Sequence, residues 1–254
     1  MPERPGRRLP GRARPASNRR RIERTVANPR LDPPTVFERI RRRVADGLAR
    51  APLVLILDET FNGVGMACMK LSIAYRRRAV PIAAVCYYRD RPPKRMPRLI
   101  ADLLRRGAVA LPEWAEVTLP TDRGLSWPKV LDAAVALGWH YVGRIQGSTK
   151  LKTRDGRELA AADVIRKPGR SWAGRARAFE KAGGRDVYVA AVRERGCRGP
   201  WLLASDRLRG YRAVHRYAKR SWTEELFRDE KSHGLPWRRS RIADPGHAPT
   251  GWRP

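Results

Sequence analysis

The sequence predicts an α/β protein with a mixed sheet, and three observations along residues 51–145 support that prediction. An apolar run at residues 53–57 is typical of a buried central strand. Two further strand-like segments follow it, separated by Arg77 and Arg78, which indicates an antiparallel meander. Helical and strand-like segments then alternate. The order β-β-β-α-β-α-β predicts a sheet that starts antiparallel and continues through crossover helices.

The boundaries of these elements follow from residue spacing and from the positions of glycine and proline. Residues 97–106 place leucine and isoleucine along one side and precede Gly107, which predicts a helix that ends there. Residues 128–137 begin with Pro128 and precede Gly138, which predicts a second helix. The predicted strands of this region are residues 53–57, 67–76, 79–88, 116–119 and 139–145.

The flanking regions differ from this core in composition. Residues 1–18 are largely Pro, Gly and Arg, cannot bury enough apolar surface, and are predicted to form a disordered basic arm. Residues 147–205 hold 14 Lys and Arg against 6 Asp and Glu and are predicted to form a mostly β insertion. The other predicted regions are a short helical segment at 19–50, the core in two parts at 51–146 and 206–237, and an irregular tail at 238–254. The further predicted elements are helices at residues 34–48 and 207–231 and strands at 186–192 and 201–204.

The charge of the chain indicates the class of its partner. The 55 Lys and Arg residues outnumber 25 Asp and Glu, giving a formal net charge of +30. A chain this basic is expected to bind a polyanion such as nucleic acid. Three cysteines without a close pair argue against a disulfide scaffold or a cysteine zinc site and favour a reducing compartment. No apolar run approaches the ~20 residues that a membrane helix needs, so no membrane partner is expected.

Three acidic residues occupy informative positions. Asp58 follows the apolar run, Asp122 follows the predicted strand 116–119, and Glu224 lies in the predicted long helix. Carboxylates at the ends of adjacent strands can converge on Mg²⁺, and two such ions can activate an attacking oxygen and stabilise a leaving oxygen at one phosphate. Each acid also has a structural explanation: Asp58 as a turn cap, Asp122 in an Asx turn, and Glu224 as a solvated helix residue.

The predicted long helix carries an unusual combination of side chains on one face. Tyr217, Arg220, Glu224 and Lys231 are separated by three, four and seven residues. At helical periodicity this spacing places them within a sector of roughly 60°. A phenol, a guanidinium, a carboxylate and an ammonium group on one face suit a metal ligand beside groups that grip DNA phosphates.

The spacing Tyr217-x2-Arg220-x3-Glu224-x6-Lys231 resembles the signature around the third acid of bacterial insertion-sequence transposases of the DDE class. More narrowly, it is similar to the branch of that family that carries a β insertion before the glutamate. Residues in the blocks 55–60 (LILDET), 122–124 (DRG) and 138–144 (GWHYVGR) resemble the blocks around the first and second acids. The blocks stand in the family's order, and the resemblance covers about residues 19–237.

The resemblance implies an RNase H-like core in which Asp58, Asp122 and Glu224 bind two Mg²⁺ ions, with Mn²⁺ as a substitute. It implies Mg²⁺-dependent hydrolysis at transposon ends, followed by attack of a 3′-hydroxyl on target DNA. The residues expected to engage the DNA are Tyr217, Arg220, Lys231 and Arg123. The implied partners are double-stranded DNA, at the transposon ends and at the target, and a second copy of the chain when two ends are paired. The expected location is the bacterial cytoplasm, in association with the nucleoid.

The chain departs from the family at both ends, which predicts a shortened copy. Family members usually carry more helical sequence before the first acid, and an apolar helical region after the position that matches Lys231. Two alternatives therefore stay open. One is a catalytically inactive remnant that binds DNA through its basic surface, and the other is an RNase H-like nuclease that cuts DNA without strand transfer.

Overall fold

The computed structural model describes residues 14–26, 28, 46–48, 51–63, 65–196 and 199–233. Its helices are α1 (Pro15–Val26), α2 (Met96–Ala108), α3 (Pro128–Ala136), α4 (Gly210–Ala218) and α5 (Trp222–Arg228). Its strands are β1 (Leu53–Phe61), β2 (Met66–Tyr75), β3 (Arg78–Tyr88), β4 (Val117–Thr121), β5 (His140–Arg144), β6 (Lys150–Thr153), β7 (Glu158–Ala160), β8 (Arg170–Ala178), β9 (Arg185–Arg193) and β10 (Trp201–Ser205).

The strands of the described residues form one sheet in the order β3-β2-β1-β4-β5-β10-β9-β8-β6-β7. Strands β1, β2 and β3 form an antiparallel meander, whereas β4 runs parallel to β1 and β5 runs parallel to β4. Strand β10 returns antiparallel between β5 and β9. The predicted α/β class, with a mixed sheet flanked by helices and an antiparallel start, is confirmed.

The first half of the sheet, β1 to β5, is buried by helices on both faces. On one face, α2 and α3 pack against a cluster that includes the fully buried Leu55. On the other face, Ile56 belongs to a cluster that packs against Trp222 and Leu226 of α5. Burial on both faces explains why this strand appears in the sequence as a continuous apolar run instead of an alternating pattern.

The segment predicted as an insertion at residues 147–205 is rich in β-structure, and it extends the same sheet beyond β5. Strands β9 and β10 match the two strands predicted there, while β6, β7 and β8 are additional to the predicted elements. Strand β8 has an alternating pattern of exposed and covered residues. This alternation is typical of a sheet that is packed on one face and open to solvent on the other.

Two predicted elements differ from those in the structure. Strand β1 continues through Asp58 to Phe61, so Asp58 lies within the strand and not at its end. The prediction of a single long helix at residues 207–231 is wrong, because a 3-10 turn at Lys219–Ser221 separates α4 from α5 and a π-helical turn at Asp229–His233 follows α5. Helical periodicity is therefore interrupted twice between Tyr217 and Lys231.

The N-terminal region is described only in part. Helix α1 begins at Pro15, inside the segment predicted as a disordered arm, and proline suits the first turn of a helix because it has no amide hydrogen to place there. Residues 1–13 of the arm, residues 34–45 of the predicted helix and the whole tail at 238–254 lie outside the described residues. Among the helices of the described ranges, none has the length and apolar character needed to cross a membrane.

Candidate active site

Parallel pairing of β1 with β4 brings two of the three predicted acids to the same level of the sheet. Val54 pairs with Thr118, and continuing that register by four residues places Asp58 beside Asp122. The β4–β5 pairing, continued by one residue from its last pair, extends the row to Arg144. Equivalent positions on adjacent strands point to the same face of a sheet, so these three side chains share one face.

Asp58 is held by groups from the helical region above it. Its Oδ2 accepts one hydrogen bond from Arg220 Nη1 and one from Thr223 Oγ1, each at 2.8 Å. Its Oδ1 accepts a third, from the backbone N–H of Glu59 at 2.9 Å. The Asp58 side chain is only 16% exposed, and these bonds compensate its carboxylate for the water that burial removes.

Asp122 is held by its own turn. Its Oδ1 accepts a hydrogen bond from the backbone N–H of Arg123 at 2.7 Å. Its carbonyl oxygen accepts from the amides of Leu125 and Ser126, each at 2.9 Å. The carboxylate bond reaches the amide of the next residue, whereas an Asx turn is closed by the amide two residues on, so the expected Asx turn is not what holds Asp122. The side chain of Arg123 is exposed, so its guanidinium lies at the surface beside this turn.

Arg220 contacts two of the predicted acids through one guanidinium. Its Nη1 bonds Asp58, and its Nη2 lies 3.9 Å from Glu224 Oε1. Burial by itself lowers the pKa of Arg220, but the neighbouring carboxylates of Asp58 and Asp122, together with the adjacent Tyr217, outweigh that effect and raise the pKa overall. The Arg220 side chain is 18% exposed, whereas that of Glu224 is 66% exposed. The arginine is thus a fixed charge at the base of the site, and the glutamate lies at its solvent side.

Tyr217 lies deeper than the other residues of the predicted signature. It is 3% exposed and packs edge-on against Trp201, with 5.1 Å between ring centroids. Its hydroxyl is buried and has no hydrogen-bonding partner among the described residues. Burial raises the pKa of the Tyr217 phenol; Arg220 and Arg144 oppose that shift, and Asp122 adds to it. The phenol therefore stays protonated, and its O–H is available as a donor within the site.

Lys231 lies on the π-helical turn after α5. Its Nζ is 5.7 Å from the centroid of the Phe227 ring. The ammonium group of Lys70 lies 5.8 Å from the same ring and pairs with Glu230. Lys70 stands directly opposite Asp58 in the β1–β2 pairing and is 9% exposed. A second lysine thus lies close to the acid face, in addition to the one that the helical spacing selects.

Three residues of this arrangement are absent from the sequence-based prediction, namely Lys70, Arg144 and Thr223. Lys70 had a usable signal, because it is a lysine inside the otherwise buried, apolar strand β2. Arg144 ends a short strand and Thr223 precedes Glu224, and neither position differs in sequence from an ordinary surface residue. Their roles depend on strand register and on the break between α4 and α5.

The ligand chemistry of the site suits a hard cation. Asp58, Asp122 and Glu224 offer only carboxylate oxygens, the ligands that Mg²⁺ prefers. Within the described ranges, no group of three or more His, Cys, Asp or Glu side chains is placed to hold a metal ion. The Arg220 guanidinium instead supplies the positive charge between Asp58 and Glu224. The carboxylate donor set fits Mg²⁺.

Comparison with known proteins gives no family assignment. No protein-family model matches the chain, and no curated protein matches it either. The features of the chain that bear on its function are therefore the placement of Asp58 and Asp122 on one face of the sheet and the Arg220 guanidinium between Asp58 and Glu224.

Proposed function

We propose that the chain is a DDE-class insertion-sequence transposase with an RNase H-like core. The proposed reaction is Mg²⁺-dependent hydrolysis of a phosphodiester at transposon ends, followed by attack of the freed 3′-hydroxyl on target DNA. The observation that supports the proposal most is the pairing of Val54 with Thr118, because its continuation by four residues brings Asp58 level with Asp122, the first residue after β4. The meander followed by two parallel strands is compatible with an RNase H-like sheet and supports the proposed fold.

The proposed metal ligands are Asp58, Asp122 and Glu224. When bound, two Mg²⁺ ions supply Lewis-acid activation of the attacking oxygen and stabilisation of the leaving oxygen. The charge balance of the site supports this assignment, because Asp58 and Glu224 already share the positive charge of Arg220. Two carboxylates at one level repel each other unless a cation lies near them.

The proposed phosphate-binding groups surround these acids. Arg220 presents a planar donor fork that matches phosphate oxygens, and its exchange from Asp58 to a bound phosphate keeps the charges of the site balanced. The buried O–H of Tyr217 provides a neutral donor beside that fork. Arg123 is exposed next to Asp122, and its guanidinium is proposed to bind a phosphate of the DNA backbone further along the duplex. Lys231 adds positive charge beyond Glu224.

The test is a cleavage and strand-transfer assay with the purified full chain and duplexes copied from the DNA that flanks its gene. Asp58→Asn and Glu224→Gln each lower the rate by at least about 10²-fold, because each removes a negatively charged ligand from the reacting phosphate. Asp102→Asn is the matched control, since this half-buried acid pairs with Arg105 on α2. Mn²⁺ binding, followed by electron paramagnetic resonance, weakens in the two site variants and not in the control.

The outcomes separate the proposed function from its alternatives. DNA binding without cleavage in wild type and both site variants, together with unchanged Mn²⁺ binding, would sink the transposase proposal in favour of a DNA-binding remnant. Metal-dependent nicking without joined products would identify a nuclease with the same site.

A further inference from the structure

A groove rich in arginine crosses the open face of the insertion. Two adjoining depressions, of about 330 and 310 Å³, share Arg154 and Arg175 and therefore form one continuous channel. Asp186 is the acidic residue of its lining. The functional groups of this groove are four arginines, a lysine and a tyrosine: Lys152, Arg154, Arg175, Arg177, Tyr188 and Arg209.

Two cations of this arginine groove lie against the ring of Tyr188. The Arg175 guanidinium lies 5.1 Å from the ring centroid and that of Arg209 lies 4.6 Å from it. Arg209 also donates a hydrogen bond to the Tyr188 hydroxyl at 2.9 Å. Stacking on an aromatic ring orients a guanidinium while leaving most of its N–H donors unused. The Tyr188 ring therefore holds the guanidinium groups of Arg175 and Arg209 in position, where their N–H groups can donate to a bound ligand.

The charge of the groove is neutralised only in part, with Lys152 lying 3.9 Å from Glu158. Arg154 and Arg175 are both exposed, and neither forms an ion pair with an acid in the described ranges. Arg177 lies 3.3 Å from Glu180 and so is partly compensated. Arg175 and Arg177 are two residues apart on β8, which places their Cα atoms about 6.6 Å apart on one face. Cations repeating at this interval suit a partner with regularly spaced negative charges, such as a nucleic-acid backbone.

The arginine groove lies on the same face of the sheet as the acids. Arg175 pairs with Tyr188, Tyr188 with Ser205, and Ser205 with Val142. Val142 stands two residues before Arg144 on β5, so both side chains leave the same face, the one that carries Asp58 and Asp122. Helix α4 lies between the two places, with Arg209 immediately before its first residue and Tyr217 near its last.

We propose that the arginine groove binds the sugar–phosphate backbone of the DNA duplex whose scissile phosphate lies at Asp58 and Asp122. Strands β9 and β8 are four and five strands from β1, which carries Asp58, so the groove lies about 20–24 Å from Asp58. At ~3.4 Å per base pair, this distance corresponds to about six or seven base pairs from the cleaved bond. That placement rests on the proposed function, whereas binding of a duplex by the groove does not.

The binding test measures the affinity of the full chain for a duplex of 30 base pairs at a series of salt concentrations. The variant Arg154→Gln/Arg175→Gln loses about two phosphate contacts, so the slope of log affinity against log salt falls by about 2. Its affinity at moderate salt falls by about tenfold or more. The control Arg98→Gln/Arg105→Gln removes the same charge from exposed positions of α2 on the opposite face of the sheet and changes the slope by less than about 0.5.

Three outcomes overturn the inference. The first is a groove variant whose slope and affinity match those of the α2 control while its melting temperature equals that of wild type. The second is displacement of the duplex by polyglutamate of equal charge as efficiently as by unlabelled duplex, which would reassign the groove to acidic proteins. The third is an Arg154→Glu/Arg175→Glu variant that binds the duplex with the affinity of wild type.

The placement is tested with duplexes in which single phosphates are replaced by neutral methylphosphonates. Replacement six or seven base pairs from the cleaved bond weakens binding of wild type and leaves binding of the groove variant unchanged. Asp58→Asn retains the full salt slope of the groove. If Asp58→Asn loses cleavage but keeps the wild-type slope of log affinity against log salt, duplex binding by the groove is independent of the active site. The two proposals can therefore fail separately.

Discussion

The two halves of the sheet, β1 to β5 and the strands of residues 147–205, differ in how many of their faces are covered. In the first half, the first five residues of β1 and the first eight of β2 are buried, because helices cover both faces. In the insertion, Ala173, Arg175 and Arg177 of β8 are exposed while the residues between them are covered. The first half is therefore a rigid support for the acids, and the insertion offers a solvent-facing surface to a partner. Both halves belong to one hydrogen-bonded sheet, so the acids and the solvent-facing surface of the insertion are held at a fixed distance and orientation.

The largest expected difference between the halves is in the cost of core truncation. Leu103→Ala, in the large cluster between α2 and the first half, is expected to lower the free energy of unfolding by about 4 kcal/mol, because surrounding helices prevent the cavity from closing. Leu151→Ala, equally buried on the four-residue strand β6, is expected to lower it by about 2 kcal/mol, because only the three-residue strand β7 lies outside β6 and this short pair of strands can move inward. Urea denaturation measures both values.

The shape of the urea transitions sharpens this comparison. Both variants are expected to unfold in one transition, since a single sheet connects the halves. An early separate transition in Leu151→Ala, with the first half still folded, would contradict the idea of one cooperative sheet.

A smaller effect is expected from the ion pair at the site. Arg220→Gln leaves the mostly buried Asp58 carboxylate with Thr223 and a backbone amide only, which is expected to lower stability by about 2–3 kcal/mol. The control Arg228→Gln breaks an exposed pair with Glu225 and changes stability by less than about 1 kcal/mol. Equal melting temperatures for the two variants would show that Asp58 does not depend on Arg220.

The smallest expected effect is a pH dependence at Glu59. Burial, with the neighbouring charge of Asp58, raises the pKa of Glu59, although Arg89 opposes the shift. A raised carboxyl pKa means that the folded state binds the proton more tightly, so Glu59 lowers stability as the pH rises through that pKa. Glu59→Gln is therefore expected to raise the melting temperature at neutral pH by an amount equivalent to less than about 1 kcal/mol.

The gain from Glu59→Gln is expected to shrink as the pH falls below neutral, because the wild-type carboxyl then binds a proton in the folded state. Melting temperatures between pH 7 and pH 5 measure this trend, with the exposed Glu158→Gln on β7 as control. A gain that stays constant across this range would disprove ionisation of Glu59 as its cause.

Much of the first half could be predicted from the sequence, and less of the insertion. Strands β1 to β5 and helices α2 and α3 were predictable because burial on both faces produces long apolar runs, and because Pro128 and Gly138 mark the ends of α3. Strands β6, β7 and β8 are short or carry arginine on alternate positions, so they look like polar loops. Their pairing is stabilised by contacts remote in sequence, which local patterns do not contain.

The candidate site was predictable as a list of acids but not as an arrangement. The positions of Asp58 and Asp122 after apolar runs predicted a shared sheet edge, and the β1–β4 register sets them level. The helix containing Glu224 was predicted as continuous, since nothing between Tyr217 and Lys231 is a glycine or proline. The break at Lys219–Ser221 follows from packing of α4 and α5 on different strands, and it is this break that accompanies the contact between Arg220 and Asp58.

The two outermost strands determine how copies of the chain can associate. Strand β7 has only three residues, and β3 contains Pro81, which lacks an amide hydrogen for a neighbouring strand. Arg78 of β3 is also engaged by Glu225 and Asp229 from the helical region. Edge-to-edge growth into extended fibres is therefore disfavoured at both ends of a very wide sheet. Under the proposed function, two copies that meet on DNA would therefore dock through surfaces other than these two strand edges.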